Sequence, residues 1–536
     1  MIRDALASAV LDALAAVAVD PLPEQVALER PARREHGDWS TNVAMATAKR
    51  VGRNPRELAT ELVAQLSGDP PNHVERVELA GPGFVNFHLT PTWLHEVLTE
   101  VIEAGAQGYA TPDLGGGERV QLEFVSANPT GPIHVGNGWF ASYGDALARL
   151  LERTGHEVRR EYYVNDTGGQ IRALGASLLA HRQDRPVPAD GYPGEYVAAL
   201  AGDYTGPDDV TAAGRWGAER ILAGIRSTME SVHIHYDEWY SQASIEESEA
   251  VAETVEVLRQ KGLVTEEDGA LWFESASFGD PRERRVLRKS DGDYTYLAGD
   301  IAYHRDKFLT RGFDRVIDVW GADHHGQVAS LVAGVRALGI EEHRIEIRLG
   351  QMVSLASGRM GKRLGNAVDL DDLVADLGPD ATRLLSLLTS IDQAVTVDLE
   401  KVRSESKESP VFYVQYAYTR IASIFRVSVE RGIERRPLAT VDLGLLTHER
   451  ELDVLRSLSE LPDVVQIAVV DRAPHKVATW VRELADRFHG FYHDCYVMGD
   501  DVPPELTQAR LWLVESAQTG LSIGLDLLGV SAPESM

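Results

Sequence analysis

Gly131-Pro132-Ile133-His134-Val135-Gly136-Asn137-Gly138, at the centre of the stretch Arg119 to Ile171, decides the fold of this chain. Ahead of it, Val120-Gln121-Leu122-Glu123-Phe124-Val125 is a short apolar run that predicts a buried strand. Behind it, Trp139, Tyr143, Leu147 and Leu150 recur at three- and four-residue steps, with Phe140 and Leu151 alongside. That is one face of a helix, and Thr154-Gly155 closes it. A second strand, Val158 to Val164, follows at once. Strand, glycine turn, helix, strand is a βαβ unit. A glycine turn at a helix N-terminus suits a phosphate, because backbone N–H groups point outward there and the helix dipole favours an anion. His134 adds a donor at the mouth of the turn. The spacing matches neither Gly-x-Gly-x-x-Gly with a later acidic ribose ligand nor a phosphate loop ending in Gly-Lys-Ser/Thr. The turn alone therefore names no nucleotide.

Composition bounds the answer without supplying it. The chain has 536 residues, enough for roughly two to four domains with large cores. With 44% hydrophobic and 25% charged residues it is an ordinary globular sequence rather than a disordered one. Cys495 stands alone, which excludes an intramolecular disulfide and a multi-cysteine zinc site and suits a reducing compartment. The apolar opening from Ala5 to Val19 is broken by Asp12, with Asp4 just ahead of it. Ile2, Leu6, Val10, Leu14 and Val17 form a helical stripe, so an amphipathic helix is expected rather than a signal peptide. No stretch is apolar for long enough to span a bilayer, and a cytoplasmic protein is expected. A net charge of −29 argues against a general nucleic-acid binder, while leaving room for RNA on a local basic surface.

The words around the glycine turn sharpen the reading. Glu123 to Pro132, then His134-Val135-Gly136, then Tyr162-Tyr163-Val164-Asn165-Asp166-Thr167-Gly168 resemble the first half of the class I catalytic domain of arginyl-tRNA synthetases. Asn137 stands where the family signature has a second His, and Trp139 where an Arg is common. Gly358-Arg359-Met360-Gly361-Lys362-Arg363-Leu364-Gly365-Asn366 resembles the class I Lys-Met-Ser-Lys-Ser loop. Met360 and Lys362 match it, while Arg359 takes the first Lys place and Gly361 the Ser place. His36-Gly37-Asp38 and Gly81 to Phe87 resemble the N-terminal domain that this family adds to its core. Pro410-Val411-Phe412-Tyr413-Val414-Gln415-Tyr416-Ala417-Tyr418-Thr419-Arg420 resembles its anticodon-binding helix. The match runs in order over almost the whole chain.

The resemblance implies an α/β fold in three parts. A Rossmann-type class I catalytic domain over 113–400 carries an insertion at about 175–285. An α+β N-terminal domain occupies 1–112, and an all-α anticodon-binding domain occupies 401–536. Gly115-Gly116-Gly117 marks the first boundary, and the period of Leu452, Leu455, Leu458 and Leu461 supports the helical end. His233-Ile234-His235, within the insertion, lacks a third ligand word and is expected to be a surface pair rather than a metal site.

Arginine recognition needs carboxylates, because the guanidinium is always charged and presents a planar fork of donors. By resemblance, Glu123, Asn128, Tyr296, Asp300 and His324 take the arginine, with Asp300 on the guanidinium and Tyr296 against the side chain. A helix N-cap before Ile301 is the competing reading of Asp300. His134, Gly136, Asn137, Gly321, Asp323, Met352, Val353, Met360 and Lys362 are assigned to ATP, which brings Mg²⁺. His134, Asn137 and Lys362 are the catalytic set. Phe84 and Asn86 fall on the family's D-loop contacts, with a buried strand position as the competing reading of Phe84. Tyr413, Tyr416, Arg420, Tyr492, Tyr496 and Met536 fall on its anticodon contacts, Tyr492 and Tyr496 one turn apart on a later helix. Exposed aromatics that stack on splayed bases are how proteins read RNA loops.

The implied activity is ATP-dependent formation of arginyl-adenylate and transfer of arginine to tRNA(Arg), by a monomer that requires bound tRNA for activation. Two rivals are a paralogue that activates arginine or an analogue for specialised metabolism, and a non-catalytic tRNA-binding relative suggested by Asn137, Trp139 and Gly361. Retention of Phe84, Tyr413, Tyr416 and Met536 argues against the first, and retention of His134, Lys362, Glu123 and Asp300 against the second.

Overall fold

The computed structural model describes residues 2–31, 33–355, 368–398 and 410–536. The chain packs into two compact units. One comprises 1–105, 424–459 and 487–519, and the other comprises 106–423, 460–486 and 520–536.

The larger unit is built on a five-stranded parallel sheet. Its strands are β4 (Arg119–Glu123), β5 (Glu157–Val164), β6 (Glu238–Ser241), β10 (Arg315–Gly321) and β11 (Ile345–Gly350), in the order β11-β10-β4-β5-β6. Val120, Gln121, Leu122 and Glu123 are all buried, as expected where helices cover both faces of a parallel sheet. After β4 the chain steps to β5 on one side, while β10 docks on the other. The crevice at the carboxyl ends of β4 and β10 is therefore a topological switch point, where open sheets of this kind take ligands.

Helix α5 (Val135–Arg153) crosses from β4 to β5 where the sequence period places it, and Thr154 closes it ahead of Gly155 at φ 84°. Residues 175–285 do more than interrupt the fold. Helices α6 (Gly168–Arg182) and α8 (Val210–Ser231) pack backbone to backbone at Gly175 and Gly214. The segment then returns β6 as a fifth strand of the main sheet. Beyond it, β7 (Val264–Glu267), β8 (Ala270–Phe273) and β9 (Arg285–Arg288) make a small antiparallel sheet.

In the smaller unit, α1 (Ile2–Ala16) buries Leu6, Val10 and Leu14, the stripe read from the sequence. Helix α3 (Pro55–Gly68) starts on an Asn54 cap with Pro55 in its first turn. Strands β1 (Trp39–Thr41), β2 (Val74–Ala80) and β3 (Phe84–Leu89) form an antiparallel sheet in the order β1-β3-β2. Arg34 pairs with Glu449 and Asp453 within this unit, and the Arg30 guanidinium lies 4.4 Å from the Trp39 ring centre. The described chain beyond residue 410 is helical, and Leu452, Leu455, Leu458 and Leu461 are buried. Among the described residues no helix is long and apolar enough to cross a membrane.

Candidate active site

Just past β4 the backbone takes a forced path. Val125 has φ 74° and Ser126 has φ 39°, a left-handed conformation that a β-branched residue adopts only under constraint. The turn brings Ser126 Oγ to 2.9 Å from Glu123 Oε1, to which it donates, while the Tyr163 N–H donates to Ser126 Oγ at 3.0 Å. Two adjoining cavities open over this turn, of about 390 Å³ and about 490 Å³, and Val125, Ser126, Asn128, Asn165 and His324 line both.

Glu123, Asn128, Tyr296, Asp300 and His324 all line the first cavity. Asp300 sits within α11 (Tyr296–Arg305), whose N-cap is Thr295. The capping reading of Asp300 is thereby corrected: the cap is supplied by a Thr one residue before the helix, and Asp300 lies more than a turn inside, half-buried in the cavity wall. Burial pushes its carboxyl up to about 6, with the Glu123 carboxylate adding to the rise and His304 opposing it. Glu123 Oε2 accepts from Lys307 Nζ at 2.8 Å and from the Tyr303 hydroxyl at 3.1 Å. Glu123 is therefore tied into the floor, and burial still raises its carboxyl against the opposing Lys307 ammonium. Asn128 donates to Gln170 Oε1 at 2.8 Å and accepts from Asn165 Nδ2 at 2.5 Å, which joins the two motif loops. Tyr296 stands 76% exposed at the mouth, and His324 is also exposed. Gln170, Gln242, Tyr303, His304, Asp318 and Gln327 also line it and were given no role from the sequence.

The second cavity is lined by His134, Gly136, Asn137, Gly321, Asp323, Met352 and Val353. His134 is the N-cap of α5, and its backbone N–H donates to Asn137 Oδ1 at 3.4 Å. Asn137, at the place of the second signature His, thus serves the helix end through its amide oxygen. A Cβ on Gly136 would stand 3.1 Å from the His134 ring, so the imidazole lies across that glycine. Val135 N–H donates to Val368 O at 3.0 Å and Leu370 N–H to Ile133 O at 2.9 Å. These bonds seat the segment that follows Met360 and Lys362 directly against the glycine turn. Met360 and Lys362 themselves, with Arg359 and Gly361, lie outside the described residues. Trp139 is buried, and its indole N–H has no hydrogen-bond partner among the described residues.

The residues assigned to RNA divide. Phe84 is 37% exposed at the start of β3. The Asn86 side chain is buried and accepts from Ser40 Oγ at 2.7 Å, so in this structure it braces the sheet beneath Phe84. Tyr413 and Tyr416 lie on the exposed face of a helix over Pro410–Glu430, which buries Val414, Ala417 and Ile421. Tyr413 donates to Asp486, and the Arg420 guanidinium sits 4.3 Å from the Tyr416 ring centre. Tyr492 and Tyr496 are exposed, but only Tyr492 is helical: the helix ends at Asp494, so the two tyrosines do not share it. Met536 is 57% exposed. His233 and His235 are exposed in a turn, and no three His, Cys, Asp or Glu side chains converge on a metal position among the described residues.

Comparison with known proteins matches every part of the chain. Residues 2–89 match the arginyl tRNA synthetase N terminal domain, residues 99–189 and 221–421 the class I (R) tRNA synthetase catalytic domain, and residues 414–536 the DALR anticodon binding domain. An arginine--tRNA ligase of Bacillus subtilis is 39% identical over 100% of this chain and 98% of its own length. One of Moorella thermoacetica is 42% identical over 99% of this chain and 98% of its own. The solved arginyl-tRNA synthetase of Thermus thermophilus, 23% identical, superposes over 100% of both chains with a TM-score of 0.80 and so shares the fold.

Proposed function

The chain belongs to the arginyl-tRNA synthetase family and is an arginine–tRNA ligase; we propose that it works through the two cavities over the β4 turn. Arginine lies in the first, its guanidinium against Asp300 and its aliphatic chain against Tyr296. Charge-assisted pairing of the fork with a carboxylate holds arginine and rejects a lysine point charge. ATP lies in the second, with Met352 and Val353 beside the base and the phosphates at the N-terminus of α5. The arginine carboxylate then lies at the shared wall, where its oxygen attacks the α-phosphate. Arginyl-adenylate forms and pyrophosphate leaves. In the second step a hydroxyl of the terminal tRNA adenosine attacks the arginyl carbonyl and AMP leaves.

The observation that carries this reading is the common wall: one cavity offers an open carboxylate and the next a helix N-terminus, with Val125, Ser126, Asn128, Asn165 and His324 between them. Catalysis is positioning and electrostatics, with no covalent enzyme intermediate. His134 and the outward N–H at Gly136 meet charge on the phosphate, and Lys362 is assigned to the same charge from its sequence match. Without a carboxylate cage among the described residues, Mg²⁺ would enter on the ATP phosphates, neutralising part of their charge. Phe84 serves the D-loop side of the tRNA, and Tyr413, Tyr416, Arg420, Tyr492, Tyr496 and Met536 the anticodon side. The working unit proposed is a cytoplasmic monomer, since one chain lines both cavities.

Charging tests this directly. Labelled arginine should become acid-precipitable on tRNA(Arg) and not on tRNA(Lys). Activation of arginine with no transfer to any tRNA would instead favour a paralogue with another acceptor.

A further inference from the structure

Behind the charged wall of the first cavity lies Lys307, which does not itself line it. Lys307 is 0% exposed, and its ammonium donates to Glu123 Oε2 at 2.8 Å and to Asp318 Oδ1 at 2.9 Å. The face of Tyr303 lies 4.2 Å from it. Lysines are almost never buried this completely unless paired. This one is carried on a single π-helical turn, Asp306–Thr310, that continues α11, and such turns occur often at functional sites.

The groups around it are charged or bridge charge. From α11, His304 places Nδ1 2.8 Å from the Asp300 carbonyl and Nε2 2.8 Å from the Asp318 carboxylate. The ring thus bridges the Asp300 backbone and the Asp318 carboxylate. From β5, Glu161 accepts from Tyr303 and is matched by Arg311 at 2.5 Å, a self-contained pair, while Tyr163 packs on Tyr303. From β6, Tyr240 donates to Asp306, a half-buried carboxylate that shares Arg311 with Glu161. Glu123, Asp300 and Asp318 stand together around the Lys307 ammonium, with His304 between the two aspartates. Carboxylates outnumber the ammonium here, an excess that suits a guanidinium.

We propose that Lys307 is a positioning and specificity residue for arginine: bonded to Glu123 and Asp318, it holds both carboxylates turned into the floor, so that Asp300 is the carboxylate left open to the substrate. The proposal rests on the reading of this cavity as the arginine site. Burial works against ions here. For Asp318, however, Lys307 and then His304 outweigh it and hold the carboxyl down to about 2, whereas at Asp300 burial prevails over the more distant pull of His304 and Lys307 and raises the carboxyl to about 6. For Lys307 burial is likewise outweighed by Asp318 and Glu123, and the ammonium is held above its ordinary range. Take the ammonium away and three carboxylates share one buried site. Like charges so placed take up a proton, and that proton competes with the guanidinium.

The test is arginine-dependent ATP–pyrophosphate exchange with tRNA(Arg) present, on the full chain, from pH 5.5 to 9. In the wild type kcat/KM for arginine should fall by half near the Asp300 value of about 6. In Lys307→Met that midpoint should rise by about one unit or more and the arginine KM at neutral pH by roughly tenfold or more, with KM for ATP nearly unchanged. Asp318→Asn should move the midpoint down, and Lys307→Met/Asp318→Asn should bring it back towards wild type, because charge and countercharge leave together. An unshifted Lys307→Met profile, or a double variant no better than Lys307→Met, overturns the role. If Lys307→Met does not fold, Asp318→Asn and the double variant still decide, and an upward shift in Asp318→Asn overturns it. Asp300→Asn separates the two claims. Normal arginine KM in that variant defeats the pocket reading itself, whereas its loss alongside an unshifted Lys307→Met profile defeats only the part given to Lys307.

Discussion

Arg383, with none of its surface exposed, donates to Asp145 in the middle of α5, the helix whose N-cap is His134. Its other nitrogens donate to Leu528 O at 3.1 Å and Val232 O at 2.8 Å. One guanidinium thus ties the signature helix to the end of the chain and to the turn after α8. Burial pushes the Asp145 carboxyl up, but Arg383, Arg149 and Arg160 outweigh it and hold the group below the usual carboxylate range. Arg383→Met should destabilise the protein by about 3–5 kcal/mol, the usual cost of breaking a buried pair. A depressed folded value stabilises above the unfolded one, so the deficit should be full at neutral pH and shrink as pH falls below about 4. Urea unfolding of both proteins at pH 7 and near pH 3.5 checks it. A pH-independent deficit would mean that lost carbonyl contacts, not the ion pair, dominate.

Asp300→Asn should abolish arginine activation while leaving ATP and tRNA binding near normal. The same change should stabilise the free enzyme. A carboxyl raised to about 6 in the folded state favours folding below its unfolded value and loses that contribution as pH rises through about 6. At pH 7.5 the Asn variant should therefore be the more stable by on the order of 1–2 kcal/mol, with the gap closing towards pH 4. Thermal melts without arginine, beside exchange assays with it, measure both halves. Equal melting at pH 7.5 would show that Asp300 is better solvated than its place in the wall implies.

Gly144→Ala should be severe for so small a change. A methyl there would stand 2.2 Å from the Phe124 ring, and neither α5 nor β4 can move without disturbing the turn between them. Overpacking of this kind costs about 1–3 kcal/mol or more. The expected signature is a lowered denaturation midpoint together with weakened ATP binding.

Tyr416→Ala and Tyr496→Ala should each weaken tRNA binding without altering ATP affinity, by about 1–3 kcal/mol if the ring stacks on a base. Filter binding at two salt concentrations checks it, since loss of a stacking contact should leave the salt slope unchanged whereas Arg420→Ala should lower it. Point changes are the sound experiment here. Deleting 401–536 would also remove Asp471, whose carbonyl accepts from Arg348, Arg472, whose carbonyl accepts from Tyr143, and the Arg383 anchor at Leu528.

Much of the fold could be read from local period. β4, the turn, α5 and β5 fall within a residue or two of their sequence limits because apolar spacing and the Thr154-Gly155 stop act locally. β6 could not be read. Four residues in a polar segment become a strand only because β5 offers them an edge. Asn86 reads as exposed by alternation, yet neighbours on both sides of β3 bury it. Lys307, inside Arg305-Asp306-Lys307, reads as a solvated charge, and its burial depends on Glu123 and Asp318 converging from two other strands. Gln327 and Gln170 carried no signal, since a glutamine on a helix face is ordinarily solvent-facing.

Lys362→Ala should slow adenylate formation by roughly a hundredfold or more while changing the arginine KM little, as expected for a donor acting on charge that develops at phosphate. Single-turnover formation of adenylate checks it. A raised arginine KM with an unchanged rate would move Lys362 to the amino-acid side.

The most direct measurement of the central claim is pyrophosphate exchange by the full chain with ATP and, in turn, arginine, lysine and citrulline, each with and without tRNA(Arg). A single open carboxylate facing a guanidinium fork should give exchange with arginine and tRNA(Arg) together, and none with the point charge of lysine or the uncharged ureido group of citrulline. Exchange supported equally by citrulline, or by lysine, would contradict the account.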